Sequence, residues 1–355
     1  MPLHPAAAQG AAFLDAAGAA PHRILIVKLS SLGDVVHTMP AVQDIHRSMP
    51  DARIDWVVER AFAPLVARCA GVHAVIACDL RRWRSAPLTA ETRQQWRAFR
   101  TQLGTVQYHA VIDAQGLSKS ALIARLARLA PGGKRFALAN RTRGSSYEAP
   151  TRWAADVAVR VDAEMAAVPR ARVLCAQALD LAAVPARAIY GLIPQRKHAG
   201  SDDGPPTVAL VHGSSRADKC WPEADWTALG RRLNAAGWHV GLPHGSEQER
   251  LAAERIAAPL LHAEVWPHLA LDQLVDRMAN CAGVIGVDSG LSHIAVALDL
   301  PHVQLYNHDT AWRTGPAPGT AGQRAVFAQP APALDTVWEA WTTVQPALPA
   351  VIDPQ

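Results

Sequence analysis

The sequence predicts an α/β protein made of two Rossmann-like halves, each with a parallel sheet. Three observations carry this expectation. Short, unbroken apolar runs alternate with helix-length segments from residue 23 onward. A stretch rich in Pro, Gly, Ser and Asp, residues 185–206, interrupts that alternation. The alternation then restarts at Thr207.

The first run, 23–28, is continuously apolar between Arg23 and Lys28, as a buried parallel strand requires. It leads into the small polar loop Ser30-Ser31-Leu32-Gly33-Asp34 and a helical pattern to about residue 48. Pro40 leaves two readings of that helix: one starting at Asp34 and kinked at Pro40, or one capped by Thr38 or Met39. Further strands are expected over 54–58, 74–77 and 110–113, with helices over 61–69, 90–103 and 117–129.

In the second half, strands are expected over 207–212, 239–242, 284–287 and 303–306. Helices fall over 223–236, 247–258, 271–281, 290–298 and, last, 332–344. The organisation expected is therefore an N-terminal extension (1–22), a first domain (23–184), a linker (185–206), a second domain (207–330) and a C-terminal helix and tail (331–355). Two such halves define a cleft, and ligands of open α/β sheets sit at the carboxyl ends of the strands.

Composition excludes several classes. Half of the 355 residues are hydrophobic and 19% are charged, which suits buried cores and not a disordered chain. A formal charge of +4 is too small to imply a nucleic-acid partner. Five widely spaced cysteines without a C-x-x-C argue against a disulfide framework or a zinc site and for a reducing compartment. No apolar run approaches a membrane span, and residues 5–21, Ala-rich without a basic start, read as a disordered extension and not a signal peptide. The protein is thus expected to be cytoplasmic, with any membrane contact peripheral.

Two loops at expected strand ends carry chemistry. Asp288-Ser289-Gly290 joins a buried strand to a helix, where free amides and the helix dipole favour a phosphate. His293 lies one turn on. The rival reading has Asp288 or Ser289 as a plain cap and His293 as core packing. His212-Gly213-Ser214-Ser215 forms a second small-residue loop, followed by Lys219, which suits a diphosphate leaving group or else a solvated surface. Glu247 suits sugar hydroxyls or a helix N-terminus. Neither G-x-G-x-x-G nor a P-loop occurs, which disfavours a dehydrogenase or a P-loop enzyme.

In the first half, Asp34 is the candidate general base, a helix-capping aspartate being the alternative, with His37 close by. Positive charge clusters at Arg81-Arg82-Trp83-Arg84 and Lys119. A Trp among three Arg suits contact with both an anionic head group and apolar chains.

With these residues assembled, the chain resembles the bacterial lipopolysaccharide heptosyltransferases of glycosyltransferase family 9. The resemblance spans residues 23–345 and rests on six ordered blocks: ILIVKLSSLGDVVHTMPA from Ile24, DWVVE from Asp55, RRWR at 81–84, DAQGLSKS from Asp113, DKCWPEADW from Asp218 and VDSGLSH from Val287. The resemblance implies a GT-B fold and an inverting transfer from ADP-heptose to a Kdo residue of Kdo2-lipid A, without metal or cofactor, at the cytoplasmic face of the inner membrane. It implies Asp34 as the base that activates the acceptor hydroxyl. Ser214, Ser215, Lys219, Glu247, Asp288, Ser289, Gly290 and His293 match donor-binding positions. Ser31, Gly33, His37, Arg81, Arg82, Arg84, Gln115 and Lys119 match acceptor-side positions.

The sequence also departs from the family. Asn307-His308-Asp309-Thr310-Ala311 replaces a Gly-Pro-Thr-Asp-Pro-like run, Ser289 stands where Thr is frequent, and the loop before Glu247 is short. The first block and RRWR favour a Kdo acceptor over the alternative, transfer to a heptosyl acceptor. A non-catalytic nucleotide-binding protein is the rival from another class, and it would tolerate the loss of Asp34.

Overall fold

A computed structural model describes residues 21–182, 184–195 and 206–347. Most of the expected extension (1–22), the middle of the expected linker and the tail beyond 347 lie outside the described residues.

Six strands form the first sheet: β1 (Arg23–Val27), β2 (Arg53–Glu59), β3 (Val72–Cys78), β4 (Gln107–Asp113), β5 (Arg128–Leu138) and β6 (Val157–Val159). Their order is β3-β2-β1-β4-β5-β6, all parallel. The second sheet repeats the pattern with β7 (Thr207–Val211), β8 (His239–Leu242), β9 (Ala263–Val265), β10 (Gly283–Val287), β11 (His302–Tyr306) and β12 (Gln323–Phe327), in the order β12-β11-β10-β7-β8-β9. In each sheet the strand order reverses at the first strand of that half. That reversal opens a crevice between β1 and β4, and another between β7 and β10. The two candidate loops leave β1 and β10 at these points.

Burial explains the central strands. Leu25, Ile26, Val27, Val208, Ala209 and Leu210 are fully buried, as strands covered on both faces must be. The strands that the sequence reading did not anticipate are peripheral or short. β6 and β9 have three residues each, too few to show a period. β5 carries Pro131-Gly132-Gly133 and three charged side chains, and β12 lies at an edge with Arg324, Ala325 and Phe327 exposed. The helix expected over 117–129 stops at Leu126, because Ala127 is already extended and leads directly into β5.

Helix Leu32–Ser48 runs through Pro40, so neither sequence reading of its start holds: Ser31 caps it and Asp34 lies in the first turn. An unanticipated helix, Ala167–Leu179, packs against it. Arg172 forks onto Asp44 of helix Leu32–Ser48 at 2.6 and 3.1 Å, with both groups buried. Such a pair is expensive to break, about 3–5 kcal/mol when one partner is removed. It therefore fixes how Ala167–Leu179 sits beside the Asp34 loop. Within the expected linker, Leu192 bridges Cys69, and the Gly191 carbonyl accepts from the Ala70 amide at 2.7 Å. Among the described residues, no helix is long and apolar enough to cross a membrane.

Candidate active site

The β1 end is braced before it reaches Asp34. Trp56 Nε1 donates to the Lys28 carbonyl at 3.0 Å, and the Leu29 and Ser30 amides donate to Gln115 Oε1 at 3.0 and 3.2 Å. Gln115 is itself fixed by the β4 end: Asp113 accepts from the amides of Gln115 and Gly116 and from the Ser120 hydroxyl. Burial pushes the Asp113 carboxyl up to about 6 despite these bonds.

Asp34 projects from the first helical turn. Its Oδ2 accepts from the Ser31 amide at 3.4 Å and the Ser31 hydroxyl at 3.2 Å, so it serves the helix start as well. Its Oδ1 faces Lys28 Nζ at 3.4 Å and Arg170 Nη2 at 3.8 Å. Burial works to raise this carboxyl. The charge of Lys28 outweighs it, with help from His37 and Arg170, and holds it well below the usual carboxylate range. The side chain remains 36% exposed. It opens into a cavity of 240 Å³ that is also lined by Lys28, Ser145, Ser146, Arg170 and Arg313.

The second-half loop is equally ordered. Lys219 Nζ donates to Asp288 Oδ2 at 2.6 Å, and His293 Nε2 lies 3.5 Å from Oδ1. Burial raises the Asp288 carboxyl, but the His293 hydrogen bond and the charges of His293 and Lys219 prevail and hold it far below its ordinary value. Ser289 stands at the N-cap of helix Gly290–Ala297, yet its hydroxyl makes no cap bond and is buried without a partner. Plain capping by Ser289 is therefore not what the structure contains. The Ser214 hydroxyl donates to the Asp288 carbonyl at 3.5 Å, joining the two small-residue loops. Ser215 lies exposed beside it.

The two loops meet. The His37 and His293 rings pack 4.3 Å apart. A Cβ built on Gly33 would lie 2.5 Å from His293 Cδ2, and one on Gly290 would lie 2.5 Å from Leu32 Cδ2. The closeness that Gly290 permits is thus first of all to the opposite half. Each helix start needs a glycine so that the other can approach.

Other sequence candidates lie further out. Arg81, Arg82 and Arg84 sit exposed on a short helix, Leu80–Ser85, and are not among the residues lining the Asp34 cavity. Trp83 corrects the expectation of a lipid-touching Trp: it is buried against Trp96 and Phe99 and donates to Gln95 at 3.0 Å. Lys119 reaches the Ser30 hydroxyl at 3.3 Å. Glu247 lines a separate cavity of 490 Å³ with His244, Ser246, Trp266 and His268, where it pairs with Arg250 at 2.5 Å. Glu249, which sequence reasoning missed, accepts from the Gly245 amide at 2.6 Å and crowds Gly213. Lys28, Arg170 and Arg313 were missed as well. Lys28 carries a local signal, a lone cation closing an apolar strand. The other two arrive from distant segments and carry none. Asn307, in the departing stretch, donates to the carbonyls of Asp218 and Cys220 at 3.2 and 3.0 Å and so steadies the Lys219 loop.

A sequence profile of glycosyltransferase family 9 (heptosyltransferase) matches residues 96–336. The chain is 40% identical over 299 residues to lipopolysaccharide heptosyltransferase 1 of Pseudomonas aeruginosa, covering 82% of this chain and 81% of that one. It is similar to a solved structure of E. coli heptosyltransferase WaaC with ADP, at TM-score 0.79 and 32% identity, over 89% of this chain and 98% of that one. A second WaaC structure, with ADP-2-deoxy-2-fluoro heptose, gives TM-score 0.70 and 34% identity over 79% and 88% of the two chains.

Proposed function

The chain belongs to glycosyltransferase family 9 (heptosyltransferase), and from that membership we propose that it transfers heptose from ADP-heptose to a Kdo residue of Kdo2-lipid A in building the lipopolysaccharide inner core. Its two Rossmann-like sheets form the GT-B arrangement. The observation that carries the mechanism is the meeting of the Asp34 loop and the Asp288–His293 loop across one interface, through His37 and His293.

In this reading the first half (23–184) takes the acceptor and the second (207–330) the donor. The acceptor hydroxyl oxygen attacks the anomeric carbon, its proton passes to Asp34, and the bond to ADP breaks with its electron pair leaving on the diphosphate. Configuration inverts in one displacement. Lys219, drawn from Asp288, and the amides at Ser289 and Gly290 meet the developing charge. The donor assignment is supported by the ligands named with the two structures of E. coli WaaC.

The acceptor's acyl chains belong to a bilayer, so the protein would work at the cytoplasmic face of the inner membrane as a peripheral enzyme. The exposed Arg81, Arg82 and Arg84 supply charge for an anionic surface or head group. The test is direct. Purified protein, ADP-heptose and Kdo2-lipid A should release ADP and yield a product heavier by one heptose. Absence of that product with active donor and acceptor would overturn the reading.

A further inference from the structure

Cations outnumber anions around Asp34. Lys28, Arg170 and Arg313 line its cavity, and Asp34 is the sole carboxylate among the lining residues. Arg170 belongs to the first half. Its Nη1 donates to the Thr142 hydroxyl at 2.8 Å, and its Nη2 stands 3.8 Å from Asp34. Arg313 comes from the other half, on the short helix Ala311–Thr314 that follows the departing Asn307–Ala311 stretch.

Arg313 is held in place but not neutralised. Its Nη1 donates to the Gly144 carbonyl at 2.7 Å. Among the described residues, no carboxylate lies within ion-pair distance of it. Its Nε is buried without a hydrogen-bond partner. A buried guanidinium N–H without an acceptor costs free energy and is unusual in a settled structure. Gly144 sits at a φ of +71°, and a Cβ there would come within 3.1 Å of Arg313 Cδ and Nε. The neighbouring Arg143 guanidinium lies 5.3 Å from the centre of the Trp312 ring. The segment 140–147 is therefore shaped to receive Arg313 across the interface.

Two guanidiniums from opposite halves, converging beside the base with a donor to spare, make a site for a planar anion. The geometry points to Arg170 and Arg313 as a carboxylate clamp that holds the acid group of the acceptor sugar and so aims its hydroxyl at Asp34. This rests on the proposed acceptor, an acidic sugar, and adds a specificity-determining role for both residues. It also makes acceptor capture a joint act of the two halves, since Arg313 is supplied from the donor side.

The test separates this from the transferase reading. The methyl glycoside of Kdo and its neutral methyl ester differ in charge and by one methyl group. By NMR titration, the wild type should bind the acid at least about tenfold more tightly than the ester, the size expected of one charge-assisted pair. Arg313→Ala should cut that ratio several-fold, Arg170 keeping the remainder, with an unchanged unfolding midpoint, and Arg313→Lys should lose less of it. In turnover, Arg313→Ala should raise KM for Kdo2-lipid A about tenfold and leave KM for ADP-heptose unchanged. Equal binding of acid and ester by the wild type, or a preference that Arg313→Ala leaves undiminished, overturns the clamp even if turnover is normal. A preference that Arg313→Ala diminishes, in a protein that transfers no heptose, sustains the clamp and overturns the transferase reading.

Discussion

The imidazole rings of His37 and His293 lie 4.3 Å apart, one from each half, inclined at 59°. His37 is one helical turn beyond Asp34, and His293 is within reach of Asp288 at 3.5 Å. Burial, reinforced by the facing His293, holds the His37 imidazole well below its ordinary value. The candidate base and the candidate donor loop are therefore separated by one ring-on-ring contact, flanked by the two glycines that let the helices close.

The glycine contact gives the first prediction. Gly290→Ala places a methyl 2.5 Å from Leu32, so the Leu32 side chain or the helix start that carries it must shift. A misplacement of about 1 Å in such a site costs about 10²-fold in kcat. Leu32→Ala in the same chain should restore much of that loss. Steady-state kinetics of the single and double variants check it; additive losses would rule out the contact as the cause.

Asp34→Asn keeps the shape of the side chain and removes its basicity. Turnover should fall by about 10²–10⁴ while KM for ADP-heptose stays near the wild-type value. Wild-type-like ADP release from this variant would remove Asp34 as the base.

Lys219→Ala deletes a cation that bonds Asp288 at 2.6 Å. With one charge contact to the leaving diphosphate gone, kcat/KM for the donor should drop by about 10²–10³. KM for the acceptor should change little. A larger loss toward the acceptor would place Lys219 on the wrong side of the reaction.

Acid should weaken the fold before the carboxylates protonate. His302 is fully buried, and burial lowers it from 6.5 to about 4. Below about pH 6.5 the unfolded chain takes up a proton that the folded chain refuses, so stability is full above that pH and falls toward pH 4. A displacement of that size is worth about 3 kcal/mol. His37 acts in the same direction. Unfolding midpoints measured from pH 7 to 4.5 should slope less steeply in His302→Gln than in the wild type; parallel slopes would acquit His302.

Salt should weaken acceptor binding more than donor binding. Arg81, Arg82 and Arg84 are exposed and screened within about 8–10 Å at ordinary ionic strength, whereas Lys219 is mostly buried beside Asp288. KM values for the two substrates at rising salt check this, and equal shifts would count against surface capture.

The central strands, the paired halves and the loops at their ends were legible because apolar runs such as Ile24–Val27 and Val284–Val287 carry their burial in their composition. Asp34, Asp288, Lys219 and His293 were legible because each sits within a few residues of such a strand end. Of the edge strands only β3 was legible, since β6 and β9 are too short to show a period and β12 is half solvated. Arg170 and Arg313 were invisible for another reason. Nothing local marks them, and only the packing of Ala167–Leu179 through Arg172 and Asp44, and the meeting of the halves, delivers them to the cavity. Gly290 was legible as a point of close approach, but the neighbour that the structure brings against it, Leu32 of the opposite half, was not.

The contact between Arg313 and Gly144 bears on modularity. Two-domain folds invite the idea that halves can be exchanged like cartridges, a donor unit from one homologue grafted to an acceptor unit from another. Here the socket on residues 140–147 is cut for a side chain that rides on the opposite half, just past a stretch where the sequence leaves its family's pattern. A hybrid that takes only one of the two would keep both sheets intact and still bring together a plug and a socket that were not shaped for each other.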